Sequence, residues 1–231
     1  MSISHWISSL GDTLLPRRCI LCGETCRQRN VCPACVVRLP RLPAERCPVC
    51  ALPTPNGEIC GVCLTKPPYF DATHAVYRYD FPLDKLIQAL KYTRRLAGAD
   101  FLGRALMELP CQRSPDLILP VPLAPARLAQ RGFNQAVELA HPLAKRLNVP
   151  MELFAARRCR DTTPQVSLPW KERARNIRHA FECSVDLSGK AVLVIDDVMT
   201  TGATLNELAR VLKAHGAAWV GNAVVARAVR D

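Results

Sequence analysis

The 231-residue chain is long enough for one medium domain and one small one, or for a single larger domain, and too short for a multi-domain assembly. Hydrophobic residues at 49% and charged residues at 22% exclude wholesale disorder. No run approaches the roughly 18 apolar residues of a membrane span, and the opening MSISHWISSL lacks the basic and apolar regions of an export signal, so a cytoplasmic protein is expected. The formal net charge of +11 favours anionic partners, either phosphorylated metabolites or nucleic acid.

Trp6, Ile7, Leu10, Leu14 and Leu15 stand at roughly helical spacing, so the first segment reads as a helix that covers the core or docks on a partner protein. Beyond it lie nine of the twelve cysteines, between Cys19 and Cys63. Without an export signal such a cluster points to metal rather than to disulfides. Four C-x2-C pairs, Cys19/Cys22, Cys32/Cys35, Cys47/Cys50 and Cys60/Cys63, repeat after 28 residues, so the module reads as a tandem duplication. A tetrahedral four-cysteine site needs two tight turns, each offering two sulfurs, and zinc binding supplies the folding energy that short, apolar-poor segments lack. Sequential ligation is expected, with Cys19, Cys22, Cys32 and Cys35 around one structural Zn2+ and Cys47, Cys50, Cys60 and Cys63 around the second. Interleaved pairing is the alternative. Cys26 reads as a bystander thiol that could also replace Cys22 or Cys32. Loaded with two zinc ions on eight thiolates, the protein would still carry about +7.

From residue 71 the texture changes to apolar strands alternating with amphipathic helices. Strands are expected at His74 to Tyr79, Leu117 to Leu119, Ala191 to Ile195 and Ala218 to Val225. Helices are expected at Leu83 to Lys91, Ala99 to Leu109, Asn134 to Leu147 and Ala203 to His215. The fold class is therefore α/β, a mostly parallel sheet with helices on both faces. The division falls between 1–68, holding the N-terminal segment and the cysteine module, and 69–231, holding the sheet.

Within the second part, Asp116 to Ala140 reads as a strand ending in Pro-Val-Pro, a basic loop with Arg127 and Arg131, and a helix opened by Asn134. Arg157 to Phe181 holds seven Lys/Arg against two Asp/Glu, and its first half reads as a mobile basic loop able to close over a pyrophosphate and exclude water. The most informative stretch is AVLVIDDVMTTGAT, Ala191 to Thr204. An apolar strand runs into Asp196 and Asp197 and then into a threonine-rich turn that opens a helix. At the carboxyl edge of a doubly wound sheet, such acids meet vicinal hydroxyls, while the backbone N–H groups of Thr200, Thr201, Gly202, Ala203 and Thr204, with the threonine hydroxyls, suit a phosphate monoester.

This stretch resembles the phosphoribosyl pyrophosphate (PRPP) motif of type I phosphoribosyltransferases, in which the acids contact the ribose hydroxyls and the loop holds the 5'-phosphate. The Pro-Val-Pro segment is similar to the pyrophosphate loop of glutamine PRPP amidotransferases, with Leu123 where that family has an acid. The pattern Thr163, Pro164, Gln165, Arg173, Asn176 resembles their flexible loop. Taken with the doubled cysteine module, the LKY at Leu90 to Tyr92, PVPL at Pro120 to Leu123 and RGFNQA at Arg131 to Ala136, the chain resembles the ComF family of competence-related phosphoribosyltransferase-like proteins. That resemblance implies a type I phosphoribosyltransferase fold behind a double zinc ribbon and a link to DNA uptake, with a DNA-uptake machinery protein as a partner. It implies an enzyme in which Asp196 and Asp197 hold the ribose, Thr200 to Thr204 the phosphate and Arg131 the pyrophosphate of a Mg2+-chelated PRPP, with phosphoribosyl transfer to an unknown acceptor. With the chain stopping soon after the last strand, a hood over the acceptor is expected from residues before about Tyr92. No general base is expected among His141, His179 and His215.

The alternative is a single-stranded DNA-handling protein that uses the zinc ribbons and the basic loop, with PRPP as regulator. Arginines 17, 18, 27, 29, 38, 41 and 46 thread the cysteine module, but Cys19 to Cys63 holds no Phe, Trp or Tyr to stack a base.

Overall fold

A computed structural model describes residues 17–26, 30–92, 96–109, 113–160 and 177–229. The expected N-terminal helix and the Thr163 to Asn176 pattern lie outside these residues. In chain order the elements are β1 (Arg17–Arg18), β2 (Thr25–Cys26), α1 (Pro33–Val37), α2 (Gly61–Thr65), β3 (Ala72–Arg78), α3 (Leu83–Tyr92), α4 (Leu96–Leu106), β4 (Leu117–Pro120), α5 (Pro125–Arg131), α6 (Gln135–Leu147), β5 (Ala156–Arg158), β6 (Phe181–Cys183), β7 (Ala191–Met199), α7 (Ala203–Ala214) and β8 (Trp219–Arg227).

The main sheet has the order β3-β8-β7-β4 and every pairing in it is parallel. Met151 extends it by a single parallel bridge to Ile118 on the outer side of β4. Strands buried on both sides carry continuous apolar runs, and their alternate side chains feed two separate cores. Leu117, Leu119, Val192, Val194, Val220 and Val224 meet Leu205, Leu208 and Leu212 of α7 on one face. On the other face Ile118, Leu193, Ile195, Ala223 and Val225 meet Leu86, Ile87 and Leu90 of α3, Leu102 and Leu106 of α4 and Leu139 and Leu143 of α6.

The two cysteine repeats divide between these cores. Cys47, Cys50 and Cys63 belong to the α7 face, whereas Cys19 and Cys26 belong to the face covered by α3, α4 and α6. The connecting residues run antiparallel along β3: the Leu42 N–H donates to the Val76 carbonyl (3.1 Å), the Arg78 N–H to Pro40 (2.8 Å) and the Thr73 N–H to Pro48 (3.1 Å).

Two expectations are corrected. The basic loop after Pro-Val-Pro is a short helix, α5, because Pro125 supplies a pre-set first helical turn and Gly132, at φ 79°, ends it. The segment from Arg157 does not begin as a loop: Arg157 and Arg158 lie in β5, paired antiparallel with β6, and Arg157 Nη2 meets Glu182 Oε2 at 2.6 Å.

Candidate functional site

β7 runs four residues further than its apolar stretch suggests, because β8 also extends and keeps the ladder going to Met199 opposite Arg227. Asp196 and Asp197 therefore sit inside the strand rather than in a turn. Successive strand residues point to opposite faces, so the two carboxylates meet different surroundings. Asp197 is 4% exposed and its Oδ2 lies 2.8 Å from Lys91 Nζ, on the last turn of α3. Burial would lower the Lys91 pKa, but the Asp197 carboxylate, its hydrogen bond and Asp196 outweigh this and hold the ammonium above its ordinary value. Asp196 is the opposite case: loss of water, and then the Asp197 charge beside it, push its pKa up to about 7. Its Oδ1 accepts from the Asp197 N–H at 2.8 Å.

The turn after β7 lifts the chain into α7. Gly202 has φ 79°, a left-handed conformation that favours glycine, while a Cβ there would meet only the movable Met199 methyl at 2.7 Å. Its carbonyl accepts the first helical bond, from the Asn206 N–H at 2.8 Å. Thr201 Oγ1 accepts from the Ala203 N–H at 3.1 Å, which turns the residues before α7 toward the carboxyl edge of the sheet. Thr200, Thr201, Gly202, Ala203 and Thr204 thus line the N-terminus of a 12-residue helix, where the macrodipole favours a negative charge. The Pro-Val-Pro turn is the neighbour of this edge: the Val121 N–H donates to the Ile195 carbonyl at 2.9 Å. Arg131 lies at the end of α5, with Nη1 donating to Gln135 Oε1 at 2.9 Å.

The cysteines form two groups, Cys19/Cys22/Cys32/Cys35 and Cys47/Cys50/Cys60/Cys63, each with all its sulfurs within 4.8 Å of one another. Cys22 and Cys32 Sγ are 3.7 Å apart and Cys50 and Cys60 Sγ 3.6 Å, close to the edge of about 3.8 Å in a tetrahedron with ~2.3 Å Zn–S bonds. Each group has one thiol whose ionisation is favoured over that of an ordinary cysteine. Burial opposes ionisation at Cys19, but the N–H groups of Cys32, Cys22 and Leu21 pull its pKa down to about 6. Cys47 is drawn to about 7 against burial by Cys60, Cys50 and Val49. Burial and neighbouring thiols push Cys35 up to about 12 and Cys50 to about 11, the crowding that a dication relieves. Both groups fit structural zinc. Cys26 belongs to neither; its Sγ faces the Glu24 carbonyl at 3.7 Å.

Two of the histidines have local partners: His215 Nδ1 lies 2.9 Å from the Val211 carbonyl, and His179, at φ 53°, is held by its backbone N–H donating to Glu207 at 2.8 Å. Two of the arginines threading the cysteine module have internal roles. Arg41 pairs with Glu108 at 2.8 Å and lies over the Tyr77 ring, and Arg46 donates to the Pro43 carbonyl.

Comparison with known proteins agrees with this architecture. The phosphoribosyl transferase domain family matches residues 134–230 and the double zinc ribbon domain family residues 10–64. The DNA utilization protein YhgH of Escherichia coli (strain K12) is 37% identical, over 83% of this chain and 87% of its own length. Competence protein F of Haemophilus influenzae is 34% identical over 69% and 74%, and competence protein ComFC of Streptococcus pneumoniae 28% over 87% and 95%. The chain belongs to the ComF family. Its fold is the type I phosphoribosyltransferase-like parallel sheet with a double zinc-ribbon module before it. Among solved structures, a purine phosphoribosyltransferase from Pyrococcus horikoshii aligns over 66% of this chain and 77% of that one, at 24% identity and TM-score 0.32.

Two ComF segments acquire physical roles here. The LKY segment brings Lys91 to Asp197, a site residue that hydrophobic patterning places merely at the end of an amphipathic helix. In RGFNQA, Asn134 Oδ1 accepts from the Ala136 N–H at 3.0 Å to cap α6, while Nδ2 donates to the Val121 carbonyl at 3.0 Å. One side chain thus starts a helix and pins the Pro-Val-Pro turn. Among the described residues no helix is long and apolar enough to cross a membrane.

Proposed function

We propose that this ComF-family chain binds PRPP at the carboxyl edge of β7 and β4 and transfers its phosphoribosyl group to an acceptor still to be identified. The observation that supports this most directly is the Lys91–Asp197–Asp196 group, lying just before the glycine-opened N-terminus of α7. In this reading residues 69–231 carry the chemistry, and residues 1–68 carry two structural zinc ions.

The ribose hydroxyls donate to Asp196 and Asp197, and the 5'-phosphate accepts from the Thr200–Thr204 segment, Arg131 standing on the pyrophosphate side. The C1–O bond breaks with its electron pair leaving on pyrophosphate; an acceptor nitrogen forms the new bond and gives its proton to solvent. The two carboxylates offset the positive charge that grows on the ribose ring. Mg2+ bound with PRPP would supply charge neutralisation to the leaving pyrophosphate.

Calorimetric titration of the zinc-loaded protein with PRPP and Mg2+ tests the reading, with the Asp196→Asn, Asp197→Asn double variant beside it. Binding in the parent and none in the variant is expected. Equal binding in both proteins refutes the assignment.

A second reading is favoured by the +11 charge and by relatives named for DNA utilization and competence: a cytoplasmic single-stranded DNA-handling protein, with PRPP as regulator and a DNA-uptake machinery protein as partner. It predicts DNA binding that weakens steeply with salt, and a flat salt profile counts against it.

A further inference from the structure

Arg227, the last residue of β8, is 3% exposed. Its Nε donates to the Cys50 carbonyl at 2.8 Å. Its Nη1 donates to the Met199 carbonyl at 3.0 Å, to the Ala228 carbonyl at 2.7 Å and also to the Thr200 carbonyl. One buried guanidinium therefore holds, on separate nitrogens, the backbone of a cysteine in the second group and the backbone of the turn before α7. Two further contacts tie the chain around and after the second group to the turn and α7. The Tyr69 N–H donates to Asn206 Oδ1 at 2.7 Å, and Cys47, Cys50, Cys63, Phe70, Met199 and Leu205 share one apolar cluster.

A charge this deeply buried needs compensation. Backbone carbonyls of the second cysteine group and of the turn before α7 supply that compensation together, so a displacement of either one disturbs the guanidinium that holds the other. The first cysteine group lies on the other face of the sheet, with Cys19 in the core covered by α3, α4 and α6.

We propose that Arg227 is a positioning residue that couples the second four-cysteine site to the turn at Thr200–Thr204, so that metal held at Cys47, Cys50, Cys60 and Cys63 and a phosphate monoester held at the turn stabilise one another. The ligand half of this rests on the PRPP reading above; the coupling itself does not. By linkage the effect is reciprocal: whatever the metal does for the anion, the anion does for the metal.

Amide hydrogen exchange on the zinc-loaded full chain, with and without ribose 5-phosphate, tests it in the parent and in Arg227→Lys. Lysine keeps the charge but offers one nitrogen in place of two. In the parent, ribose 5-phosphate slows exchange at the turn and also across 47–63, by about fivefold or more, but not across 19–35. In Arg227→Lys the turn remains protected by ribose 5-phosphate while the effect on 47–63 is lost. An unmoved 47–63 beside a protected turn, or undiminished transmission in the variant, overturns the coupling. If ribose 5-phosphate protects nothing, the phosphate reading fails, and the coupling is decided by a chelator titration: opening of 47–63 must raise exchange at 197–206 in the parent. A turn that stays protected after that opening overturns it.

Discussion

Lys91 Nζ lies 2.8 Å from Asp197 Oδ2, joining the end of α3 to the carboxyl end of β7, and both partners are largely withdrawn from water. The pair gives Asp197 a counter-ion while Asp196, one residue earlier, has its charge disfavoured by burial and by Asp197. Two adjacent carboxylates thereby meet different surroundings, one beside an ammonium and the other beside a carboxylate.

Removing one member of such a pair strands the other. Lys91→Met is expected to lower the urea-unfolding free energy by about 2–4 kcal/mol, because it leaves two close carboxylates without their cation. The Lys91→Met, Asp197→Asn double variant should recover most of that loss, a coupling read from the double-mutant cycle. Additive losses would show that the pair contributes nothing specific.

The raised pKa of Asp196 makes a pH prediction whose sign follows from proton counting. Between its unfolded value near 4 and its folded value of about 7, the folded chain holds a proton that the unfolded chain has released. This group's contribution to stability therefore falls as pH rises through that window and is level above it. Asp196→Asn should flatten the pH dependence and raise the melting temperature at pH 8 by roughly 3–6 °C. Binding of ribose 5-phosphate to the parent should strengthen from pH 6 to pH 8, as the carboxylate becomes the acceptor.

Asn134 makes two bonds with one amide, and they separate by substitution. Asn134→Ala should cost about 1–2 kcal/mol in thermal or urea unfolding. Asn134→Asp retains the cap to α6 but sets an oxygen against the Val121 carbonyl. It should unfold nearer the parent yet bind PRPP more weakly. Unchanged binding in both variants would detach the Pro-Val-Pro turn from the ligand site.

Native mass spectrometry should find two zinc ions on the parent chain. Cys60→Ser should retain one, and Cys26→Ser should retain both, since Cys26 stands outside either group. Loss of zinc from Cys26→Ser would place that thiol among the ligands.

The sheet was legible because parallel strands buried on both faces leave apolar runs, as at Ala191–Ile195, and because helices such as Gln135–Leu147 carry one apolar stripe. The sequential grouping of the cysteines followed from the 28-residue repeat. What escaped was set by tertiary partners. Nothing local extends β7 to Met199; its pairing with Arg227 does. Nothing in the helical pattern of α3 marks Lys91, whose partner lies more than a hundred residues away. α5 was hidden by a short polar stretch that reads equally as loop, and Arg227 by standing beyond the apolar part of its strand.

The stretch between the two cysteine repeats, with the start of the second, occupies the free side of β3, hydrogen-bonding through Leu42, Pro40 and Pro48. An open sheet edge is a template on which a second molecule can add a strand. The cysteine module is thus also an edge guard, anchored by a four-cysteine group on either face of the sheet it protects. Chelation of zinc should therefore uncover this edge, and light scattering should report edge-to-edge association of the chelated protein.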